Sequence, residues 1–356
     1  MHPAGIGVHR QRRPRRHRLA AHRTAHPARP DPGGAVVITF PKTVAAAATG
    51  ARSARVRAGG TDLQELRSTG VVAGDIVDLR DVPGLGGIAE DGVELHVGAR
   101  VTIAALAVHP VVTQRMPGLA QAAAGLATPQ IRSRGTVAGN LLQQVRCWYY
   151  RNPHLQCAKK GGATCLARQG DHLFHVAWDN GLCAAPHPST LAVALQAYDA
   201  QVELDDGSRL DIPALLGDGS DPRQTHALPA GRIVTAVHVP LVEEGEHGAY
   251  GRAIARARAE WPLIEVVARL RLDRRNRVQE ARVVAGAMAN RPRELSAVAE
   301  ALLGQEARDE VLLAAAALAR EGARPLPATG YKVKLVAGIV ADVLTRARDG
   351  AGQEAE

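Results

Sequence analysis

The hydrophobic pattern changes abruptly at Val36. Before it, Arg, His and Pro mix without periodicity; after it, apolar residues recur in short runs punctuated by glycine-containing and acidic turns. Val36–Phe40 predicts a strand, Thr43–Thr49 an Ala-rich helix, Ala54–Ala58 a strand ending in Gly59-Gly60, Asp62–Thr69 a helix and Asp75–Leu79 a third strand. That β-α-β-α-β order predicts a small α/β unit with parallel strands. Gly92–Ala99 reads as a strand, Thr102–Ala107 as the start of a helix and Gly118–Leu126 as a second, Ala-rich helix. Runs at Val202–Leu204 and Arg209–Ile212 flank Asp205-Asp206-Gly207-Ser208, a hairpin turn by composition, and Ile233–Val239 is a further strand ending at Pro240.

The acidic stretch Glu243-Glu244-Gly245-Glu246-His247-Gly248 reads as a domain boundary. Beyond it, Leu263–Leu272 and Val278–Ala287 predict two strands of an antiparallel sheet, followed by helices at Glu294–Leu303, Glu306–Arg320 and Val333–Arg348. No internal repeat is present. The pattern predicts an α+β protein of two domains, 35–242 and 248–349, with residues 1–34 outside both. A length of 356 residues agrees with two domains, because single cores stop growing near roughly 250–300 residues.

Composition narrows the functional classes. The longest apolar run, near Leu312–Ala319, is far too short to span a bilayer. The net charge of +9 suggests a nucleic-acid partner at first sight, yet residues 1–34 hold eight Arg against one Asp, leaving only about +2 on the rest. Lysines number only five, Lys42, Lys159, Lys160, Lys332 and Lys334, so the Arg excess reflects compositional bias more than phosphate recognition. The arm itself reads as disordered or as a start assigned too far upstream. Its arginine pairs, Arg12-Arg13 and Arg15-Arg16, lack the apolar segment of a twin-arginine signal.

All four cysteines fall in one tenth of the chain: Cys147, Cys157, Cys165 and Cys183. Half of the ten aromatic residues lie in the same segment, with Arg146 and the cationic turn Lys159-Lys160-Gly161-Gly162. Four thiolates from one irregular loop suit a tetrahedral zinc ion or a [4Fe–4S] cluster. Structural zinc usually takes two tight C-x2–4-C pairs, whereas wide, uneven spacings fit the larger cubane better. Four unrelated reduced thiols, or two disulfides, are the alternatives.

Two glycine turns end in a hydroxyl and an amide. Arg57-Ala58-Gly59-Gly60-Thr61-Asp62-Leu63 opens a helix after a strand, and Gly135-Thr136-Val137-Ala138-Gly139-Asn140 follows Arg132 and Arg134. Backbone N–H groups at such turns cradle phosphate oxygens, so two turns in one domain point to a diphosphate-bearing cofactor. Gly84-Leu85-Gly86-Gly87-Ile88-Ala89 matches a dinucleotide fingerprint, but no helix opens after it and it reads as a loop. His187, in Ala185-Pro186-His187-Pro188-Ser189, could ligate a metal but reads better as a loop histidine.

At this point the motifs resemble a known family. A-G-G-T-D-L, V-D-L-R-D-V-P-G-L-G-G-I, V-G-A-R-V-T-I-A-A-L-A-V-H-P and I-R-S-R-G-T-V-A-G-N, in this order from Val36 to Ala347, resemble the FAD-binding medium subunits of molybdenum hydroxylases, the xanthine and carbon monoxide dehydrogenase relatives. The run N-L-L-Q-Q-V-R-C-W-Y-Y, three more cysteines and A-P-H-P-S-T-L-A-V-A-L resemble most the subset with an extra [4Fe–4S] cluster, as in bacterial periplasmic aldehyde oxidoreductases. The resemblance implies a two-subdomain FAD-binding domain of the vanillyl-alcohol-oxidase (PCMH-like) kind, with a cysteine loop at 146–184, and a CO-dehydrogenase-flavoprotein-like C-terminal domain. It implies FAD on Val56, Arg57, Ala58, Gly59, Gly60, Thr61, Asp62, Leu63 and Gln64, and on Thr136, Val137, Ala138, Gly139 and Asn140. It adds Thr190 and Ile233 near the cofactor, and Cys147, Cys157, Cys165 and Cys183 as cluster ligands.

Three departures from the family pattern stand out. Ala138 replaces a glycine, Thr190 stands where an aspartate is frequent, and Gly251, beside Arg252, replaces a lysine. The implied role is electron relay without substrate chemistry, so no catalytic acid or base is nominated. The implied partners are a large molybdenum-cofactor subunit, a small subunit with two [2Fe–2S] centres and an external electron acceptor, with neither nucleic acid nor membrane. A zinc-stabilised nucleic-acid binder would instead show steep salt-dependent DNA retention, and a stand-alone flavin oxidase would be reduced by substrate without partners. The compartment implied is the cytoplasm, or the periplasm by co-export with a signal-bearing partner.

Overall fold

The computed structural model describes residues 36–242 and 245–352, so the basic arm and Glu243-Glu244 lie outside the described residues. Three strands, β1 (Ile38–Thr39), β2 (Arg55–Arg57) and β3 (Ile76–Asp78), form a parallel sheet in the order β1-β3-β2. Parallel neighbours need crossovers, supplied here by the Val44–Ala51 and Leu63–Ser68 helices. Ala47, Val77, Leu79, Val82 and Leu85 make the small core beneath this sheet.

A second, antiparallel sheet contains β4 (Ile88–Glu90), β5 (Glu94–Gly98), β6 (Gln201–Leu204), β7 (Arg209–Asp211) and β8 (Val234–Pro240), in the order β4-β5-β8-β6-β7. The predicted hairpin joins β6 and β7, with Gly207 at φ +80° in its turn. The third sheet runs β12-β11-β10-β9, from β9 (Glu246–Ala253), β10 (Ile264–Leu272), β11 (Val278–Gly286) and β12 (Arg293–Glu294). Helices Ser296–Leu302, Asp309–Ala317 and Gly330–Gly352 share its core, through Val298, Leu302, Leu312, Val336, Val340 and Leu344. Among the described residues no helix is long and apolar enough to cross a membrane.

The α+β expectation holds, with three local corrections. The fingerprint-like glycine segment opens no helix, as expected, but Ile88–Glu90 is a strand paired with β5 and not part of a loop. Its backbone passes so close to β5 that a Cβ on Gly98 would lie 2.5 Å from the Leu85 carbonyl oxygen. The acidic boundary is shorter than its composition suggests: Glu246 and His247 are buried at the start of β9. Lys159, read as part of a flexible turn, is buried and its ammonium donates to the Gln224 carbonyl and the Thr225 hydroxyl.

The Thr190–Ala197 helix, absent from the sequence reading, is buried at every position and packs against Val237 and Tyr250 in one continuous core. Tyr198 follows it. The Tyr198 hydroxyl accepts from the Gly118 N–H at 3.1 Å, and the Arg269 guanidinium lies over its ring. A Cβ on Gly248 would meet that hydroxyl at 2.3 Å. Gly248→Ala should therefore destabilise the protein by roughly 1–3 kcal/mol, the usual cost of overpacking. In a Tyr198→Phe background, equilibrium denaturation should show a smaller cost for the same substitution, because the obstructing oxygen is gone; additive effects would refute the contact.

Candidate functional site

The strand β2 runs into Ala58-Gly59-Gly60-Thr61-Asp62 before the Leu63–Ser68 helix, with Gly60 at φ +74°. Gly59 is pressed against the second glycine turn: a Cβ on it would lie 1.9 Å from the Arg134 carbonyl oxygen. The two turns, far apart in sequence, are therefore neighbours backbone to backbone. Across them, Thr61 Oγ1 lies 3.6 Å from where a Cβ on Gly135 would sit.

Their hydrogen bonding differs. In the second turn, Val137 N–H donates to the Val101 carbonyl and Ala138 N–H to the Ala99 carbonyl. Gly139 N–H donates to the capping Thr136 hydroxyl, and Asn140 N–H to the Thr136 carbonyl. In the first turn, the N–H groups of Gly59, Gly60, Thr61 and Asp62 donate to no protein acceptor among the described residues. Four successive unbonded amides make this turn the stronger anion cradle. The second turn offers the Asn140 side-chain amide: its Oδ1 accepts from Ser189 Oγ at 2.7 Å and from Leu191 N–H, leaving the Nδ2 donor without a protein partner among the described residues. Ala138 sits in the short Val137–Leu141 helix and not at positive φ, so replacing glycine there costs no backbone strain.

Other expected residues have structural neighbours. Arg57 pairs with buried Asp78, which also holds Arg80. Arg132 donates to the Leu126 and Ala127 carbonyls. Asp62 accepts from Gln144 N–H at 2.8 Å and from Arg151 at 2.7 Å. Val56 and Gln64 are exposed, and Ala58 and Leu63 half-buried. Ile233 does not join the turns; it is buried in the core of the first sheet. Gly251 packs where a Cβ would lie 2.6 Å from both Val343 and the Arg346 guanidinium, leaving no room for a lysine.

Thr190 is buried beside Glu265, whose Oε2 accepts from the Tyr250 hydroxyl at 3.0 Å while Oε1 has no partner. Burial pushes the Glu265 carboxyl up to about 7. A carboxyl that holds its proton when folded but loses it near 4.5 when unfolded lowers stability as pH rises from about 4.5 to about 7, after which the loss is constant. Glu265→Gln should remove that slope, so the stability of the variant relative to wild type should rise between pH 5 and pH 8. Denaturant melts at both values check it; a pH-independent difference would refute it.

The four cysteines are free thiols, and all four line one small cavity with Tyr149, Tyr150, Lys159 and Ala185. Cys147, Cys157 and Cys165 each stand, with extended backbone, directly before a short helical turn: Trp148–Arg151, Ala158–Lys160 and Leu166–Arg168. Such turns aim N–H groups back at the preceding side chain. Burial pushes the Cys147 thiol up, opposed by the Tyr150 and Tyr149 amides. A hydrogen bond from Cys183 and the Ala184 and Ala167 amides bring Cys165 down to about 5 against its burial, while Cys183 is pushed up. No three His, Cys, Asp or Glu side chains among the described residues stand close enough to hold a metal ion as they are.

Sequence reasoning missed His175, whose Nε2 lies 3.3 Å from Cys147 Sγ and whose imidazole burial brings down to about 4. The spacing His172-x-x-His175 inside the cysteine segment was its only signal. His187 is buried and neutral, with Nδ1 accepting from Ser189 N–H, in line with the loop-histidine reading. Arg146 and Arg151 bridge the cysteine loop to Asp62 and Glu65 beside the first turn.

Residues 35–242 match the family model for the FAD binding domain in molybdopterin dehydrogenase, and residues 249–347 that for the CO dehydrogenase flavoprotein C-terminal domain. The chain is 31% identical over 325 residues to the aldehyde oxidoreductase FAD-binding subunit PaoB of Escherichia coli, covering 87% of this chain and 96% of PaoB. It is 24% identical to the 6-hydroxypseudooxynicotine dehydrogenase complex subunit alpha of Paenarthrobacter nicotinovorans, covering 84% and 88% of the two chains. Its fold is similar to a chain of the CO dehydrogenase of Oligotropha carboxidovorans, with a TM-score of 0.70 at 22% identity over 89% and 98% of the two chains.

The close contact makes Gly59→Ala a sharp test of the first turn. The added methyl must move the Arg134 backbone, so bound flavin should fall to a small fraction of wild type while Gly86→Ala, in open space, retains it. Flavin released by acid from purified protein measures both, and equal flavin in the two variants would refute the assignment.

Proposed function

Because the chain belongs to the FAD-binding subunits of the molybdenum hydroxylase family, we propose that it is the electron-transfer subunit of an aldehyde-oxidising complex and that its four cysteines hold a [4Fe–4S] cluster. The complex would pair it with a large subunit carrying the molybdenum cofactor and a small subunit carrying [2Fe–2S] centres. The aldehyde assignment is supported by the likeness to PaoB across most of both chains. The observation that carries the cluster reading is the convergence of all four cysteines of the chain on one cavity.

The free donors of the glycine turns suit FAD, and the four sulfurs that line one cavity would have to draw together around a cluster, since no three stand at metal-binding distance among the described residues. FAD, when bound, supplies a carrier that takes up electrons and passes them on. This chain's part is to hold it: the free amides of Gly59–Asp62 face the charge of a diphosphate, and the Asn140 amide donates from the second turn. The Gly59 contact fixes the two turns at one separation, so the cofactor is oriented by backbone and not by mobile side chains. A [4Fe–4S] cluster would supply a one-electron relay. The chain would offer it four sulfur ligands, amides that favour the thiolate, the buried Lys159 ammonium as counter-charge, and Tyr149 and Tyr150 against water. Zinc would use the same sulfurs but needs no sulfide.

Anaerobically purified chain should contain about four irons and four acid-labile sulfides with one FAD, the stoichiometry of a single cubane cluster. Cys157→Ser should lose most of the iron while keeping most of the flavin, because neither glycine turn contains a cysteine. Zinc without sulfide would overturn the cluster reading but leave FAD in place. Equal loss of iron and flavin would show that the Arg151–Asp62 bridge makes the two sites one unit.

A further inference from the structure

A cavity of about 500 Å³, lined by none of the glycine-turn residues, opens beside the cysteine loop. Its floor is Trp178, which is 6% exposed. The backbone there is rigid: Ala177 and Trp178 N–H both donate to the Met288 carbonyl, and Arg324 N–H donates to the Ala177 carbonyl. The Trp178 indole N–H is buried and has no hydrogen-bond partner. Such unpaired buried donors are rare in folded proteins.

The Arg293 guanidinium lies over the Trp178 ring, 4.9 Å from its centroid. Gly322 makes that position possible. It sits at φ +65°, and a Cβ there would come within 3.0 Å of the guanidinium. Arg291 and Arg324 line the same cavity, and none of the three arginines forms an ion pair among the described residues. The lining carboxylates are largely engaged elsewhere. Asp179 is held by both terminal nitrogens of Arg168, Glu294 pairs with Arg282, and Asp218 accepts from Ser220 N–H while facing Arg291. The cavity therefore combines a flat cation over an aromatic floor with two further arginines that form no ion pair among the described residues.

We propose that this cavity binds a planar, conjugated organic anion. A guanidinium stacked on indole presents its outer face to a second flat π-system, and arginine forks suit carboxylate or sulfonate groups at the edge. The volume is that of a small-molecule site. The position also has a consequence for the neighbouring loop. Asn290, on the cavity wall, donates its amide to the Cys183 and Ala185 carbonyls at 2.6 and 2.9 Å, so an occupant is one side chain away from the cysteine cavity. The proposal stands on these residues whatever the cysteines hold.

The probe is anthraquinone-2,6-disulfonate, a planar dianion, titrated calorimetrically into the FAD-loaded full chain. Saturable binding of one molecule per chain is expected, with inorganic sulfate at equal concentration failing to compete. Arg293→Gln combined with Arg324→Gln should weaken it by at least about tenfold, the scale of losing a cation–π contact together with a second arginine contact. Arg291→Gln, a single exposed change, should weaken it less. Unchanged circular dichroism and FAD content in the variants would show that the fold is intact. No saturable binding to wild type, or binding that neither variant weakens, would overturn the proposal.

Discussion

The total burial of the Thr190–Ala197 helix constrains more of this molecule than any other single feature. A helix with no solvent face must have every polar group satisfied within the protein and every neighbour fitted to its surface. Its N-terminus is capped by Ser189, whose hydroxyl accepts from Ala192 N–H and donates to Asn140 of the second glycine turn. Its first residue, Thr190, is buried beside Glu265 on β10, and Tyr198, beyond its last turn, accepts from Gly118 and carries Arg269 over its ring. One helix thus sets the second glycine turn, the antiparallel sheets and the Gly118 helix relative to one another. Glycines at 248 and 286 mark where its neighbours come too close for a Cβ.

From that frame the division of labour between the two glycine turns follows. The second turn is stitched by its amides to the end of β5 and by Asn140 to Ser189, so it is part of the rigid body. The first turn leans on it through Gly59 and keeps its own amides unbonded. A cradle is best built this way, because free donors lose solvation and position unless something stiff supports them. The substitution of Ala138 for glycine fits the same logic. Its residue lies in a helical turn whose N–H is already committed, where a methyl group is harmless.

Much of this was legible in sequence because it rests on local rules. The parallel β-α-β-α-β unit, the hairpin at Asp205–Ser208 and the long antiparallel strands show the periodicities and turn residues that their geometry requires. The cysteines and both turns were found for the same reason. What escaped has the opposite character. Thr190–Ala197 is apolar all round, so it has no amphipathic period to read, and Ile88–Glu90 is a three-residue strand defined only by its pairing with β5. Ile233, expected near the cofactor, is buried in the core of the first sheet, a burial that its strand-end position does not announce. Lys159 was taken for a solvated turn; nothing local signals that Gln224 and Thr225 close over it.

The cysteine loop shows how distant residues give local chemistry its meaning. A thiol beside a short helical turn gains amide donors whatever its partners are, and this happens three times in the loop. Their convergence depends on long-range ties: Arg146 and Arg151 to Asp62 and Glu65, Arg168 to Asp179, Asn290 to the Cys183 carbonyl, and Lys332 from the C-terminal helix to the Phe174 carbonyl. The first of these ties ends on the residue that closes the first glycine turn. Asp62 and Arg151 are both mostly buried, with side chains 15% and 12% exposed. Removing one partner of such a pair leaves an uncompensated charge, a loss of about 3–5 kcal/mol for fully buried pairs and less at this exposure. The residue that closes the first glycine turn therefore also anchors the sulfur-rich loop through its carboxylate, and the fold holds the two candidate sites in one fixed relation.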